Sequence, residues 1–478
     1  MKEKQMYNPV IGLEIHTQLK TNSKMFCSCV NNPEDRNPNV YVCPVCLAHP
    51  GALPVTNKEA VMKVLIAGKA LNCTLQDISH FDRKNYFYPD LPKGYQISQD
   101  KKPFCINGCL EIDGKKIRIN RIHLEEDTGR LIHDEKKGYS LVDFNRAGIP
   151  LMELVTEPDI RSGEEARKFA EELKLIFRYL NISDANMEQG QMRVEVNISI
   201  SKEGEEFGTK VEIKNLNSFR TVCLAVEYEI KRQREILEKG EKVVQETRGW
   251  DDKKELTFSQ REKESAHDYR YFPEPDLPPL FLNEEPFNKD ELKIETELPQ
   301  EKRKRFKEEY GIENENEIEA FITNREVADY FEEVVKKTKE KEIYQIVKNY
   351  LLTDVLGMLN GEDIRQMKIS PEDFLEFAKF IFKKEISSKV AKNVLKEMII
   401  SGESSSKIIK DKGLSKIDDK EEVGNIILEV VKENDKAVKD YKEGREEALT
   451  FLVGKVMAKT KGRINPEEAK RVLKEILT

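Results

Sequence analysis

Residues 193–200, RVEVNISI, alternate strictly: Val194, Val196, Ile198 and Ile200 fall on one side, and Arg193, Glu195, Asn197 and Ser199 on the other. Successive side chains of a β-strand point to opposite faces, so this period of two predicts a sheet with one apolar and one wet face. The pattern recurs upstream. VIGLEIHTQL (residues 10–19) sets Leu13 and Ile15 against Glu14 and His16, and NRIHLEEDTG (120–129) sets Ile122 and Leu124 against His123, Glu125 and Asp127. Asp113-Gly114, between two alternating segments, fits a hairpin turn, and Gly204 marks another.

Two helices interrupt the strands. Ser162 and Glu165 have capping-box spacing, and Ala166, Phe169, Ala170, Leu173, Ile176, Phe177 and Leu180 then share one stripe. The second helix starts near Ser218, with Phe219, Val222, Cys223, Val226, Ile230 and Leu237 in register and Gly240 suited to its C-terminal cap. A proline cluster, Pro273, Pro275, Pro278 and Pro279, closes this half, because proline interrupts helices and central strands alike. From about residue 296 the pattern is wholly helical, and SGESSSK (401–407) reads as a linker. These signals predict an α+β class. The expected domains are 1–292, built on antiparallel sheet, an all-helical 293–405, and a helical tail 406–478.

The chain has 478 residues, 38% hydrophobic and 35% charged, with a formal net charge of −8. This composition predicts a folded protein with a highly charged surface, whose overall field repels a polyanion, so any RNA must meet a local basic patch. Such a patch is offered by residues 451–478, where seven Lys and Arg stand against three Glu, and its candidates are Lys455, Lys459, Lys461 and Arg463. A solvated helix face explains the same charges equally well. No apolar run approaches bilayer length and the start lacks a secretory signal, so the expected location is the cytoplasm, with no membrane partner.

Cysteines in a reducing compartment are more often thiols or metal ligands than disulfides. Cys27-Ser28-Cys29 and Cys43-Pro44-Val45-Cys46 are two close thiol pairs that can fold back to supply four tetrahedral sulfurs. Structural zinc suits them, with a metal-free knuckle as the alternative. Glu14 with His16, His123 with Glu125, and Glu153 in AGIPLMELVTEPD (147–159) could hold a divalent cation if they met on one face; each strand alone also reads as a solvated polar face. Arg83, Lys84, Lys93, Arg193, Lys214 and Arg220 are cations that a moving phosphate would need. The phosphate-loop, kinase, nucleophile-elbow and dinucleotide signatures are all missing from the sequence.

The strings VIGLEIHTQL, DRKNYFYPDLPKGYQISQ, HLEEDTGRLIH, DFNRAGIPLMELVTEPD, SDANMEQGQMRVEVNIS, VEIKNLNSFR, ETRGWDD and HDYRYFPEPDLPP, in this order, resemble the blocks of the aspartyl/glutamyl-tRNA amidotransferase B subunits. Residues 451–477, FLVGKVMAKTKGRINPEEAKRVLKEIL, resemble the tail shared with small YqeY-like proteins. The resemblance implies a glutamine synthetase-like cradle, a helical domain and a tail that contacts tRNA. It also implies ATP-dependent phosphorylation of the side-chain carboxylate of Glu on tRNA(Gln) or Asp on tRNA(Asn). Ammonia then displaces the phosphate; a glutaminase A subunit supplies it, and a small C subunit joins the assembly.

By the same resemblance Glu14, His16, Glu125 and Glu153 form the Mg²⁺ and nucleotide site, and Cys27, Cys29, Cys43 and Cys46 the zinc knuckle. Lys84, Lys93, Glu188, Arg193, Glu195 and Lys214 line the nucleotide and substrate pocket. A tRNA-binding scaffold without catalysis is the alternative from another class. Which of the two misacylated tRNAs is the substrate is not written in the sequence.

Overall fold

The computed structural model describes residues 7–134, 136–202, 204, 206–262, 269–414, 420–460 and 462–477. They fall into two compact units, Met1–Pro299 and Gln300–Thr478. In the first, strand β1 (Tyr7–Gln18) precedes helix α1 (Lys58–Ala70) and the short strands β2 (Thr74–Leu75), β3 (Ile78–Ser79), β4 (Asp82–Asn85) and β5 (Tyr95–Ser98). Next come the hairpin β6 (Cys105–Ile112) and β7 (Lys115–Glu126), the ribbon β8 (Arg130–Asp134) and β9 (Tyr139–Asp143), and β10 (Pro150–Thr156). Helix α2 (Gly163–Tyr179), β11 (Met192–Lys202), β12 (Val211–Leu216), α3 (Phe219–Glu238), β13 (Glu246–Asp251) and β14 (Leu256–Glu262) follow.

Nine of these strands form one sheet in the order β14-β13-β12-β11-β1-β10-β7-β6-β2. The α+β class is as expected. All neighbours are antiparallel except β12 and β13, which run parallel because α3 carries the chain back between them. Asp113 and Gly114 both take positive φ, 51° and 77°, in the two-residue turn that joins β6 to β7.

The apolar sides of the strands share one core. Leu13, Ile15, Val194, Val196, Leu124 and Leu154 are each at most 1% exposed, and Phe169, Leu173, Val222 and Val226 from α2 and α3 lie in the same apolar cluster. Ser162 and Ser218 cap the two helices by accepting from the backbone N–H of Glu165 and Thr221. Helix α1 escapes the sequence reading. Its buried residues, Ala60, Val61, Val64, Leu65, Ala67 and Gly68, share one side, but the partly buried Met62, Ile66 and Ala70 extend apolar character beyond it and blur the two-faced pattern.

The second unit is helical, as expected, from Pro299–Tyr310 through Pro466–Leu477. The linker expected at 401–407 is instead a helix junction. Gly402 (φ 75°) ends the helix Ser388–Ser401, and Ser404 opens the helix Ser405–Asp411. Ser405 is fully buried, its hydroxyl donating to Glu376 at 2.8 Å. Serine and glycine serve caps as readily as linkers, which is why composition misled here. Farther on, Val423, Ile427, Leu449, Leu452, Leu473 and Leu477 form a separate tail core, and Asn465 accepts from Glu467 N at 2.9 Å to start the last helix.

Where α2 meets α3, a methyl group on Gly163 would lie 2.4 Å from the carbonyl oxygen of Cys223. Gly163→Ala should therefore destabilise the first unit by about 1–3 kcal/mol. Trp250, the single tryptophan and nearly buried on β13, reports that unit, so the check is the urea midpoint of its emission. Gly424→Ala, in an open position of the second unit, should leave that midpoint in place.

Candidate active site

Strand register assembles the site. β1 lies between β10 and β11, which sets His16 opposite Glu153 on one side and Arg193 on the other. Glu153 is in turn opposite His123 of β7. His123, Glu153, His16 and Arg193 thus form one row across four strands, with neighbouring Cβ atoms about 4.5–5.5 Å apart. Two residues along on the same face stand Glu125, beyond His123, and Glu14, opposite Glu195.

The side chains converge as the backbone dictates. His16 Nε2 lies 3.7 Å from Glu14, 3.9 Å from Glu125 and 3.3 Å from Glu153. His123 Nε2 lies 3.2 Å from Glu153 and 3.9 Å from Glu125, and Ser98 donates to Glu125 at 2.9 Å. A solvated strand face is ruled out at this end of the sheet, since His123, Glu125 and Glu153 are 3%, 2% and 4% exposed.

Burial alone would neutralise these acids. Against it, the His123 and His16 imidazoles hold Glu153 well below the usual carboxylate range, and hydrogen bonding to His123 with the charge of Lys84 lowers Glu125. Burial also opposes the imidazolium, yet Glu153 and Glu125 push His123 up to about 9 and raise His16. Glu14 moves the other way. Burial and the negative Glu153 raise its pKa, so it is the readiest of the acids to hold a proton.

The expected phosphate-binding cations divide into two groups. Burial works against the Lys84 ammonium, but Glu125 keeps it charged, and it lies over the Tyr269 ring. Arg193 is held by Asp127 at 3.2 Å, and Lys214 bridges Glu195 at 2.6 Å and Glu212 at 3.3 Å. Lys93 is instead committed to Glu126 at 2.6 Å, on the opposite side of β7 from Glu125, and Arg83 to Glu274. Glu188 is exposed on the turn before β11, in a groove shared with Lys174, Arg178 and Asn217. Arg220, 81% exposed, lies near Glu255.

Three residues with clear places in the site were not singled out from the sequence. Glu212 closes a third acid cluster with Glu14 and Glu195; its alternation with Val211 and Ile213 was the available signal. Gln18 and Arg146 join Arg193 around buried Asp127, and no local pattern could have found them.

Either carboxylate–imidazole group, Glu14, His16 and Glu153 or His123, Glu125 and Glu153, is compact enough to hold a divalent cation. The four knuckle sulfurs also lie within 4.8 Å of one another, with Cys43 and Cys46 3.9 Å apart. Tetrahedral zinc with bonds of about 2.3 Å needs sulfurs about 3.8 Å apart, so this donor set fits. None of the four cysteines is in a disulfide.

In the tail the expected basic patch is partly neutralised. Lys459 is bound by Glu429 at 3.1 Å and Glu433 at 2.6 Å, acids too far away in sequence to have been anticipated. Lys455 lies over the Phe451 ring, Arg463 is half-buried, and Lys461 lies outside the described residues. Among the described residues no helix is long and apolar enough to cross a membrane.

Comparison with known proteins puts this acid-lined sheet and the helical unit that follows it in the class of tRNA-dependent amidotransferase components. The GatB/GatE catalytic domain matches residues 9–288, and the GatB domain matches 329–477. The chain belongs to the family of aspartyl/glutamyl-tRNA(Asn/Gln) amidotransferase B subunits, and so to a ligase-type enzyme complex. Relatives of that name from Carboxydothermus hydrogenoformans (48% identical), Caldicellulosiruptor bescii (47%) and Thermotoga maritima (46%) each align over 98% of this chain and 99% of their own length.

Titration of the metal-free protein tests the charge pattern. His123 is raised above its ordinary 6.5, so its contribution is complete below that pH and disappears as pH rises through about 9. Glu153 is depressed below 4.5, so its contribution is present above that pH and is lost on acidification. Stability followed by Trp250 emission after metal chelation should therefore fall towards pH 9, and His123→Gln should flatten that fall.

Proposed function

We propose that the sheet face carrying Glu14, His16, Glu125 and Glu153 activates the side-chain carboxylate of Glu on tRNA(Gln), Asp on tRNA(Asn), or both. The observation that carries this reading is His16 Nε2 standing within 3.9 Å of acids from three strands. A carboxylate is a poor electrophile. Its oxygen attacks the γ-phosphorus of ATP, ADP departs, and the resulting acyl phosphate loses phosphate to ammonia, leaving the amide.

Both partners in the first step are anions, so the residues must relieve their repulsion. Glu14, His16, Glu125 and Glu153 are the groups that would hold Mg²⁺, which when bound neutralises phosphate charge. Lys84, Arg193 and Lys214 add fixed positive charge around the same face, and Asp127 holds the Arg193 guanidinium in place. Glu195 orients Lys214. Lys93 is committed to Glu126 and Glu188 lies exposed before β11, so neither of them is assigned a part in the proposed step.

The names of the relatives point to tRNA and to further subunits of the complex; in the proposed assembly a glutaminase A subunit is the ammonia source and a small C subunit completes it. Residues 1–292 would carry catalysis, with 293–405 and 406–478 as helical and tRNA-contacting portions in the cytoplasm. The knuckle cysteines would hold structural zinc, since four protein ligands leave no open position for chemistry.

In the reconstituted complex, Glu14→Ala should lower ATP-dependent amidation of Glu-tRNA(Gln) and Asp-tRNA(Asn) by about 100-fold or more. tRNA affinity and glutaminase activity should persist. Unchanged amidation would reduce this chain to an RNA-binding scaffold. Metal analysis of the purified protein should find about one zinc per chain, and a content below about a tenth would refute the knuckle assignment.

A further inference from the structure

Lys24, one residue before the knuckle's approach through Met25 and Phe26, is 0% exposed. An ammonium has three N–H donors and no acceptor. Its three neighbours here are the Tyr41 carbonyl oxygen at 2.8 Å, the Phe144 carbonyl oxygen at 3.1 Å and the Cys46 sulfur at 3.9 Å. Among the described residues no carboxylate lies within ion-pair distance of it.

A buried cation needs a compensating charge as well as hydrogen bonds. Carbonyl oxygens bring dipoles but no charge. The cysteine cluster is the remaining neighbour, and four thiolates around a divalent ion carry an excess of negative charge. We propose that Lys24 is the outer charge partner of the four-cysteine centre. Its ammonium donates to the Cys46 sulfur and offsets the thiolate excess, so that the centre holds a thiophilic divalent ion more tightly than the cysteines would alone. The inference rests on the reading that these cysteines bind zinc.

The same side chain joins two parts of the fold. Tyr41 belongs to the knuckle, whereas Phe144 belongs to the loop that enters β10. That loop is fastened to the knuckle at further points: Tyr41 N donates to Asn145 Oδ1 at 2.9 Å, and Met25 N to the Gly148 carbonyl at 2.7 Å. Lys24 is therefore a strut between the metal centre and the strand that carries Glu153. A merely structural lysine would tie the two carbonyls and ignore the metal.

Zinc competition against a graded series of chelators separates these cases, using the full-length protein, Lys24→Met and Lys24→Gln. Glutamine retains donors for the carbonyls but has no charge. Both variants should bind zinc about 10- to 100-fold more weakly, the range expected when an outer partner of a metal ligand is removed. Zinc affinity equal to wild type in Lys24→Gln would overturn the proposal. Should the variants fail to fold, the unaltered protein decides: with ¹¹³Cd in the knuckle, the ¹⁵N-labelled Lys24 ammonium signal should move when the metal is withdrawn, and a stationary signal refutes the contact. Wild-type protein that takes up no zinc at all would instead remove the cysteine reading, a result distinct from variants that match a zinc-loaded wild type.

Discussion

Carboxylates can share a nearly dry sheet face only if each is answered by a cation or a proton. In this chain the answer is built into β-strand register: imidazole and carboxylate alternate across β7, β10 and β1, with Arg193 completing the row on β11. The two closest imidazole–carboxylate contacts, 3.2 and 3.3 Å, fall between directly opposed residues. A slip of one residue along any of these strands would send its polar members into the core and its leucines and isoleucines outward. The apolar face beneath α2 and α3 therefore does more than stabilise the fold. It locks the register on which the charge pattern depends.

This arrangement also explains why Glu14 and Glu153, both on this sheet face, shift in opposite directions. Glu153 lies between two imidazoles, whereas Glu14 has Glu153 and Glu195 among its near charges and only His16 and Lys214 in compensation. A site with a firmly ionised acid beside a readily protonated one is suited to a ligand that brings its own positive charge. On the proposed reading, a divalent cation held by these residues would equalise the two acids and displace protons from the imidazoles.

The knuckle is tied to this sheet through the loop that enters β10, by Lys24, Asn145 and backbone hydrogen bonds. Its contacts with residues 144–148 fix the entry of β10, and β10 delivers Glu153 four residues into the strand. In the tail, the pairing of Lys459 with Glu429 and Glu433 shows how a local cationic surplus can be consumed within the chain. Charge counted along a sequence overstates what a polyanion would meet.

Reading residues in order establishes what the local backbone imposes. A period of two placed Glu14 with His16, His123 with Glu125, and Arg193 with Glu195 on shared faces; Ser162 and Ser218 marked helix starts, Asp113-Gly114 a hairpin, and two close cysteine pairs a compact thiol cluster. All of these depend on neighbours within a few positions. Strand order does not. That β1 lies between β10 and β11, more than 130 residues away, follows from burying every apolar face at once, a property of the whole sheet. So too with the partners chosen by individual cations: Lys93 for Glu126, Lys459 for two distant glutamates, Lys24 for a cysteine sulfur. Long polar side chains take whichever countercharge the finished fold brings near, and only the packed chain decides which one that is.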